Sequence, residues 1–308
     1  TDDRIQIFLD GTYTTITDST PNSSSLNYFD VTPSATLSDD DYSVIVKIVD
    51  DAGNTSDVSG SLSFTIDTDA PSKPGTPDLG SVYDTGNSVT DNLTNLGTGS
   101  DNLEFTVGSV TAGDSARLKF GSTIVGRDKV GSGNSSVNFT INNQTQGDYN
   151  VTAIAYDPAG NNSTTSEILS ITIDTDSPGK PTIDLKASSD LGQSNNDDNT
   201  SDQTPTLTFG NLTVADSIII YNSGVRIQAE EVDAATMNID LTTALADGSL
   251  TLSVKAVDPA GNASTVSNNL IITIDSSAPA APNQPDLKDE SDTGFSVTDN
   301  NTSSTTPT

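Results

Sequence analysis

Aspartate at fixed spacing is the feature of this sequence best suited to chemistry. Asp67 and Asp69 close a Thr-Ile-Asp-Thr-Asp-Ala-Pro run, and Asp174 and Asp176 close a second, Thr-Ile-Asp-Thr-Asp-Ser-Pro. Asp157 and Asp258 each open Asp-Pro-Ala-Gly-Asn, and Asp50 opens Asp-Asp-Ala-Gly-Asn. Asp84-Thr85-Gly86 precedes Asp91-Asn92, Asp190-Leu191-Gly192 precedes Asp197-Asp198, and Asp292-Thr293-Gly294 precedes Asp299-Asn300. A calcium ion takes roughly six to eight oxygens from carboxylates, amide and backbone carbonyls and water. The candidate Ca²⁺ ligands are therefore Asp67, Asp69, Asp84, Asp91, Asp157, Asp174, Asp176, Asp190, Asp197 and Asp258, with Asn92 and Asp198 as further oxygen donors. The competing reading is that these residues cap turns by accepting backbone N–H groups. There is no EF-hand loop and no Gly-Gly-x-Gly-x-Asp nonapeptide, so the metal expectation rests on clustering and topology. In the third copy Ser277 stands where Asp69 and Asp176 do, which removes a carboxylate there. The triplet Asp39-Asp40-Asp41 is not repeated and reads as a solvated turn.

Catalysis finds little to work with. The chain has no Cys and no His, which removes Cys–His pairs, Ser–His–Asp triads and the usual zinc sites. Carboxylate pairs alone could serve a glycosidase-like dyad. Every candidate Asp recurs from repeat to repeat, however, and an active site is not expected to be copied along an array. No enzyme activity and no catalytic residue are expected. A net charge of −31 repels nucleic acid and anionic membranes and attracts cations, although much of the acidity serves solubility. Sugars, peptides and nucleic acids are accordingly not expected to be turned over or tightly bound. No apolar run reaches membrane-spanning length, so direct membrane insertion is not expected either. Asn-x-Ser/Thr triplets such as Asn54-Thr55-Ser56 are frequent, as expected of a chain rich in these residues.

The elements that must position the Asp residues repeat with them. The Ala-Gly-Asn block recurs at registers of 107 residues (Asp50 to Asp157) and 101 residues (Asp157 to Asp258). Tyr42, Val44, Val46 and Ile48 alternate with polar residues, as do Tyr149, Val151, Ala153 and Ala155, and Leu250, Leu252, Val254 and Ala256. The run after each Ala-Gly-Asn turn alternates too: Leu62-Phe64-Ile66, Leu169-Ile171-Ile173 and Leu270-Ile272-Ile274. Period-two alternation marks half-buried strands. Hydrophobic content of 32% and the absence of Trp leave each repeat a thin core, which suits two packed sheets. About seven short strands per ~100 residues reads as all-β, tandem immunoglobulin-like sandwiches joined by short Pro- and Asp-rich linkers. The expected domains are a partial one at 1–70, complete ones at 71–177 and 178–278, and the start of a further repeat at 279–308 without a complete fold of its own. Ile5, Ile7 and Leu9 enter a hairpin at Asp10-Gly11. The later repeats carry a preceding strand, Leu103–Val107 and Leu207–Phe209, that the first lacks, so an unpaired edge is expected there. The chain lacks an initial Met and begins inside a repeat, so a longer parent is expected. Tyr42 and Tyr149 occupy positions suited to a tyrosine corner, which Leu250 cannot make.

Sandwich topology places Asp174 at the lower pole of one repeat and the Asp258 turn at the upper pole of the next. One joint would then gather Asp84, Asp91, Asp174, Asp176 and Asp258. The alternative places Asp84 and Asp91 at the upper pole, beside Asp67 and Asp157.

Asp-Pro-Ala-Gly-Asn, then Thr-Ile-Asp-Thr-Asp-x-Pro, then Asp-x-Gly and Asp-Asn-x-Thr together resemble the tandem bacterial Ig-like extender repeats of giant RTX-type adhesins. The resemblance spans nearly the whole chain in three copies. It implies a spacer in a secreted adhesin, exported by a type I system and retained extracellularly at the outer membrane of the bacterial cell surface. It also implies Ca²⁺-stiffened joints between neighbouring repeats and distal adhesive domains outside this chain, acting in adhesion or biofilm formation. The departures are Ser277 and the incomplete ends. Two other classes compete: a ligand-binding Ig-like module, and an accessory array of a secreted hydrolase. A binding module would show aromatic residues on an exposed face, and the sequence scatters Tyr13, Tyr28, Tyr83 and Phe295.

Overall fold

A computed structural model describes residues 4–14, 32–33, 35–97, 102–142 and 144–308. The chain divides into two compact units. One comprises Thr1–Pro178 with the loops Ala215–Ser217 and Val257–Ser264; the other comprises Gly179–Val214, Ile218–Ala256 and Thr265–Thr308. Described structure is strands and turns throughout, and among the described residues no helix is long and apolar enough to cross a membrane.

In the first unit, strands β1 (Arg4–Leu9), β2 (Thr12–Thr14), β3 (Asp40–Val49) and β4 (Leu62–Ile66) form one antiparallel sheet in the order β2-β1-β3-β4. Asp10 and Gly11 both take positive φ, 47° and 77°, the geometry of a two-residue hairpin turn, as their types suggest. The expected unpaired edge is not where the sequence places it. β1 is bonded on both sides, to β2 and β3. The strand thought missing beside it corresponds to Leu103–Val107, which lies in the opposite sheet of the following repeat. What the first repeat lacks among its described residues is a second sheet over its inner face. Ile7, Leu9, Val44, Phe64 and Ile66 line an open cavity of about 360 Å³ there, with Pro33 and Leu37 at its side.

The following repeat is a full sandwich. Its strands are β5 (Asp78–Leu79), β6 (Leu93–Thr94), β7 (Asn102–Gly108), β8 (Ser115–Phe120), β9 (Thr123–Lys129), β10 (Ser136–Asn142), β11 (Gly147–Tyr156) and β12 (Leu169–Ile173). They form a three-stranded sheet, β10-β7-β5, and a five-stranded sheet, β6-β12-β11-β8-β9. Alternation sends Leu103, Phe105 and Val107 from one sheet and Leu118, Val151, Ala153, Ile171 and Ile173 from the other into a shared core. Each fully buried large side chain contributes about 1.5–3 kcal/mol of transfer free energy, and Phe105 meets Phe120 edge-on at 5.6 Å.

Short polar runs between β11 and β12 do structural work. The Ser163 hydroxyl accepts from Ala155 N and that of Ser166 accepts from Ala153 N. The buried edge of β11 is thereby paired by side chains where no strand lies alongside. Ser56 and Ser59 do the same for Ile48 and Val46.

The second unit repeats the design with β13 (Thr182–Leu185), β14 (Asn199–Thr200), β15 (Thr206–Gly210), β16 (Ser217–Asn222), β17 (Val225–Glu231), β18 (Thr236–Asp240), β19 (Gly248–Val257) and β20 (Leu270–Ile274). The sheet orders are β13-β15-β18 and β14-β20-β19-β16-β17. A separate core holds Leu207, Phe209, Ile218, Ile220, Leu252, Val254, Ile272 and Ile274. Residues 279–308 carry turns and no strand. The tyrosine corners form: Tyr42 Oη donates to Ser38 O at 2.9 Å and Tyr149 Oη to Thr145 O at 2.8 Å. The Asp39–Asp41 triplet is exposed but is more than a solvated turn. Asp40 and Asp41 begin β3, and Asp39 accepts from the backbone and hydroxyl of Thr68.

Candidate functional site

The Asp-x-Ala-Gly-Asn loop is built the same way three times. In 258–262, Asp258 N donates to Asn262 O, and Gly261 turns the chain at φ 97°. The Asp258 carboxylate accepts from Asn262 N at 2.8 Å and from Asn262 Nδ2 at 2.9 Å. Asp157 with Asn161 and Asp50 with Asn54 show the same bonds. The turn-capping reading thus holds for these Asp residues. In Asp157, burial raises the pKa but the bonds from Asn161 and its neighbours outweigh it, and the group lies below the usual carboxylate range.

The side-chain amide of the loop Asn also reaches outward. Asn262 Nδ2 donates to Asp174 O at 2.8 Å, and Asn161 Nδ2 to Asp67 O at 2.9 Å. Within the first unit, loop 258–262 is docked further. Thr85 Oγ1 donates to Ala260 O at 2.8 Å and Asn87 N to Pro259 O at 3.2 Å. Gly86, at φ 91°, lies so close that a Cβ there would stand 1.9 Å from Pro259 O. β6 runs parallel beside the end of β12, and Asp174 N donates to Thr94 O at 2.8 Å. The Asp84–Asp91 segment therefore sits on the Asp174 side of its repeat, the lower pole, rather than beside Asp67 and Asp157.

Two sets of carboxylates act on one another electrostatically: Asp258 and Asp174 on Asp216, and Asp157 and Asp67 on Asp114. Asp216 is 4% exposed and Asp114 5%. Burial pushes the carboxyl of Asp216 up, and Asp258 and Asp174 add to it; burial, then Asp157 and Asp67, do the same to Asp114. Asp84 is paired instead with Asp91. Its Oδ2 accepts from Asn92 N, and its pKa is raised by burial and by Asp91, against the pull of that N–H. In the second unit Asp190 Oδ2 accepts from Asp197 N and Asp198 N, and Asp292 Oδ2 accepts from Asn300 N. Asn92, Asp198 and Asn300 all adopt left-handed φ near 60°. Asp198 is itself pushed up by burial and by Asp184, Asp190 and Asp197.

Asp69 and Asp176 behave differently. Their N–H groups donate to Asp67 and Asp174, as Ser277 N does to Asp275, so the position is used through its backbone. Asp176 Oδ2 accepts from Gln146 Nε2 of its own repeat at 2.8 Å.

The donor set fits a hard cation. Asp84 Oδ1, Asp190 Oδ1, Asp216 Oδ2 and Asp292 Oδ1 are buried without a hydrogen-bond partner. A buried carboxylate oxygen left unpaired costs on the order of 1–3 kcal/mol or more, and four such atoms at repeat-equivalent or joint positions suit oxygen-ligated Ca²⁺. Among the described residues no three acidic side chains converge as a ready-made metal cage.

Asp114 and Asp216 went unnoticed in the sequence, although both precede Ser and an apolar strand at a 102-residue offset. The docking roles of Thr85, Gly86, Asn161 and Asn262 were also missed. Of the scattered aromatics, Tyr83 packs against the core and Phe295 is fully exposed; Tyr28 and the side chain of Tyr13 lie outside the described residues.

A family model described as bacterial Ig-like domain matches residues 1–68, 71–175 and 177–276. No curated protein sequence matches significantly. Among solved structures, the chain is similar to fibronectin(III)-like modules of Clostridium thermocellum CbhA at 16% identity, covering 68% of this chain and 100% of that one with a TM-score of 0.42. It is similar to the BSP domain of a biofilm associated protein at 17% identity, covering 78% and 43%, TM-score 0.24. The central fibronectin-III array of RIM-binding protein shares 13% identity over 88% of this chain and 87% of that one, TM-score 0.25.

Proposed function

The chain belongs to the bacterial Ig-like domain family, and we propose that it is a structural extender of a large secreted adhesin at the bacterial cell surface, its joints stiffened by Ca²⁺. The observation that carries this reading is the buried carboxylate oxygen of Asp216 that has no partner, with the charges of Asp258 and Asp174 bearing on the same group. In a second set, Asp157 and Asp67 act in the same way on the buried Asp114, which differs from Asp216 in having no orphaned carboxylate oxygen.

In this reading the chain's own residues do two jobs. Asn161 and Asn262 clasp the backbone of Asp67 and Asp174, and Thr85, Gly86 and Asn87 seat loop 258–262. Asp174, Asp216 and Asp258, and in the other group Asp67, Asp114 and Asp157, would hold the cation, with Asp84–Asp91 and Asp190–Asp197 as additional acidic positions. A bound Ca²⁺ supplies positive charge that replaces carboxylate repulsion by coordination. Ligand bound only by the ordered joint then adds to its stability by mass action. A spacer role, export through a type I system and retention at the outer membrane accompany this proposal, with the adhesive region elsewhere in the parent protein.

Isothermal titration of the chelator-treated chain with Ca²⁺ tests the reading. Saturable uptake that Asp216→Asn and Asp114→Asn each reduce supports it. No uptake at millimolar Ca²⁺ would leave these residues as turn caps and buried charges only.

A further inference from the structure

The overall charge conceals a local reversal on the outer face of the β8–β9 hairpin. Four of the chain's 12 Lys and Arg residues, Arg117, Lys119, Arg127 and Lys129, fall within this one hairpin, where Asp128 is the single carboxylate. Ala116, Leu118 and Phe120 enter the core, so Arg117 and Lys119 face outward. Arg127 pairs directly opposite Arg117, and Lys129 opposite Ser115, which puts them on the same face. On the other flank Tyr156 stands opposite Ser115 and Thr152 opposite Lys119. The Arg117 guanidinium lies over the Tyr156 ring at 3.8 Å. That stack fixes the plane of the guanidinium and leaves its N–H edge open to an anion. Among the described residues the one salt bridge is Lys73–Glu167, so none of these four cations is neutralised from within.

The fold does not require this arrangement. Like charges directly opposite each other on neighbouring strands are destabilising. At the 102-residue offset that relates Asp114 to Asp216, the next repeat has Ile219 for Arg117, Tyr221 for Lys119 and Glu231 for Lys129. It nonetheless builds the same five-stranded sheet order. A costly feature present in one repeat and dispensable in its neighbour calls for a role outside packing.

We propose that this face binds a polyanionic polysaccharide. Its carboxylate or sulfate groups would pair with Arg117, Arg127, Lys119 and Lys129, and its hydroxyls would meet Thr152 and Tyr156. A sheet surface is flat, which suits a polymer lying across strands; small molecules favour concave pockets. At physiological salt the screening length is about 8 Å, so a sparsely charged polymer senses the four cations ahead of more distant carboxylates. Duplex nucleic acid carries a charge every ~1.7 Å and meets the repulsion of the whole chain, as does a second copy with the same −31 charge.

The test uses the full chain in chelator, so that cation bridging through the acidic joints is removed. Fluorescence anisotropy is measured with labelled hyaluronan and heparin oligosaccharides, with neutral dextran and a DNA duplex alongside. The expected result is saturable binding of at least one acidic glycan at about 50 mM salt. Binding should weaken on the order of tenfold or more by about 200 mM, as phosphate-type contacts do. Arg117→Gln with Arg127→Gln should lower affinity at least tenfold, whereas Lys255→Gln should not. The lysine pair Lys119→Gln and Lys129→Gln gives an independent reading should the arginine pair alter folding. Absence of binding to both glycans, or binding unchanged in both double variants, overturns the proposal. So does tighter binding of DNA. Salt-sensitive self-association in sedimentation velocity, lost in the double variants, would assign the face to a second copy instead.

Discussion

Gly86 and Pro259 meet backbone to backbone: a Cβ on Gly86 would stand 1.9 Å from the Pro259 carbonyl oxygen, which also accepts from Asn87 N. No side chain fits, and the seat of loop 258–262 is thus specified by the absence of one. Gly86→Ala combines this clash with the strain of an Ala at φ 91°. Gly113→Ala has the strain alone, since nothing lies within 4 Å of its Cβ position at φ 98°. Strain costs roughly 1–2 kcal/mol in either variant, and the clash should add on the order of 2 kcal/mol or loosen the loop. Urea unfolding of both variants, with hydrogen exchange across 258–262, checks the difference. Equal effects would mean that the contact is not held in solution.

Asn262 and Asn54 make the same bonds inside their loops, but only Asn262 also donates to the backbone of a residue far along the chain, Asp174. Asn262→Ala should therefore cost more than Asn54→Ala, by about 1 kcal/mol for the additional bond. Denaturant midpoints of the two variants measure it, and equal shifts would remove the clasp from the account.

Asp216→Asn separates the metal reading from simple capping by sign. In chelator the substitution removes a buried carboxylate oxygen without a partner and the repulsion from Asp258 and Asp174, and the melting temperature should rise. In millimolar Ca²⁺ it removes a proposed ligand, and the increment produced by the cation should shrink. Calorimetry in both conditions decides. A fall in melting temperature of the same size in each would make Asp216 a structural residue only.

Asp247 accepts from the backbone and hydroxyl of Ser276, and its pKa is held below the usual carboxylate range by bonds from Ser276, Gln203 and Ser277. A depressed folded-state pKa means that the unfolded chain binds the proton first. The contribution is therefore complete above the unfolded value and is lost as pH falls through the lower, folded one. Asp247→Asn should be less stable than the parent at pH 6, with the gap closing below about pH 3.8. A gap that widens on acidification would contradict the assignment.

Much of the fold was legible because each signal was local. Alternation along Leu103–Val107 and Tyr149–Ala155, the Asp10-Gly11 hairpin and the two tyrosine corners depend on residues near in sequence. The site was legible in part. The sequence grouped Asp174 with Asp258, whose loop contacts Asp174 through Asn262, but Asp216 was passed over since it belongs to no conspicuous motif. Asp176 was grouped with them because it recurs; what the structure adds at that position is an N–H donated to Asp174, which Ser277 supplies equally well to Asp275. The clasp of Asn262 on Asp174 O and the seat at Gly86 involve backbone atoms, whose partners no side-chain pattern announces. The expected edge defect of the first repeat failed for a topological reason, since consecutive strands β7 and β8 lie in different sheets.

Small-angle scattering of the chain in millimolar Ca²⁺ and in chelator measures the central claim, that cations at the Asp174–Asp216–Asp258 and Asp67–Asp114–Asp157 groups stiffen the array. Removing Ca²⁺ should lower the maximum dimension and broaden the distance distribution, while proteolysis near Asp69 and Asp176 accelerates. Asp174→Asn or Asp258→Asn should reproduce part of that change with Ca²⁺ present. Superimposable curves in the two conditions would contradict the account and leave the acidic groups without a mechanical role.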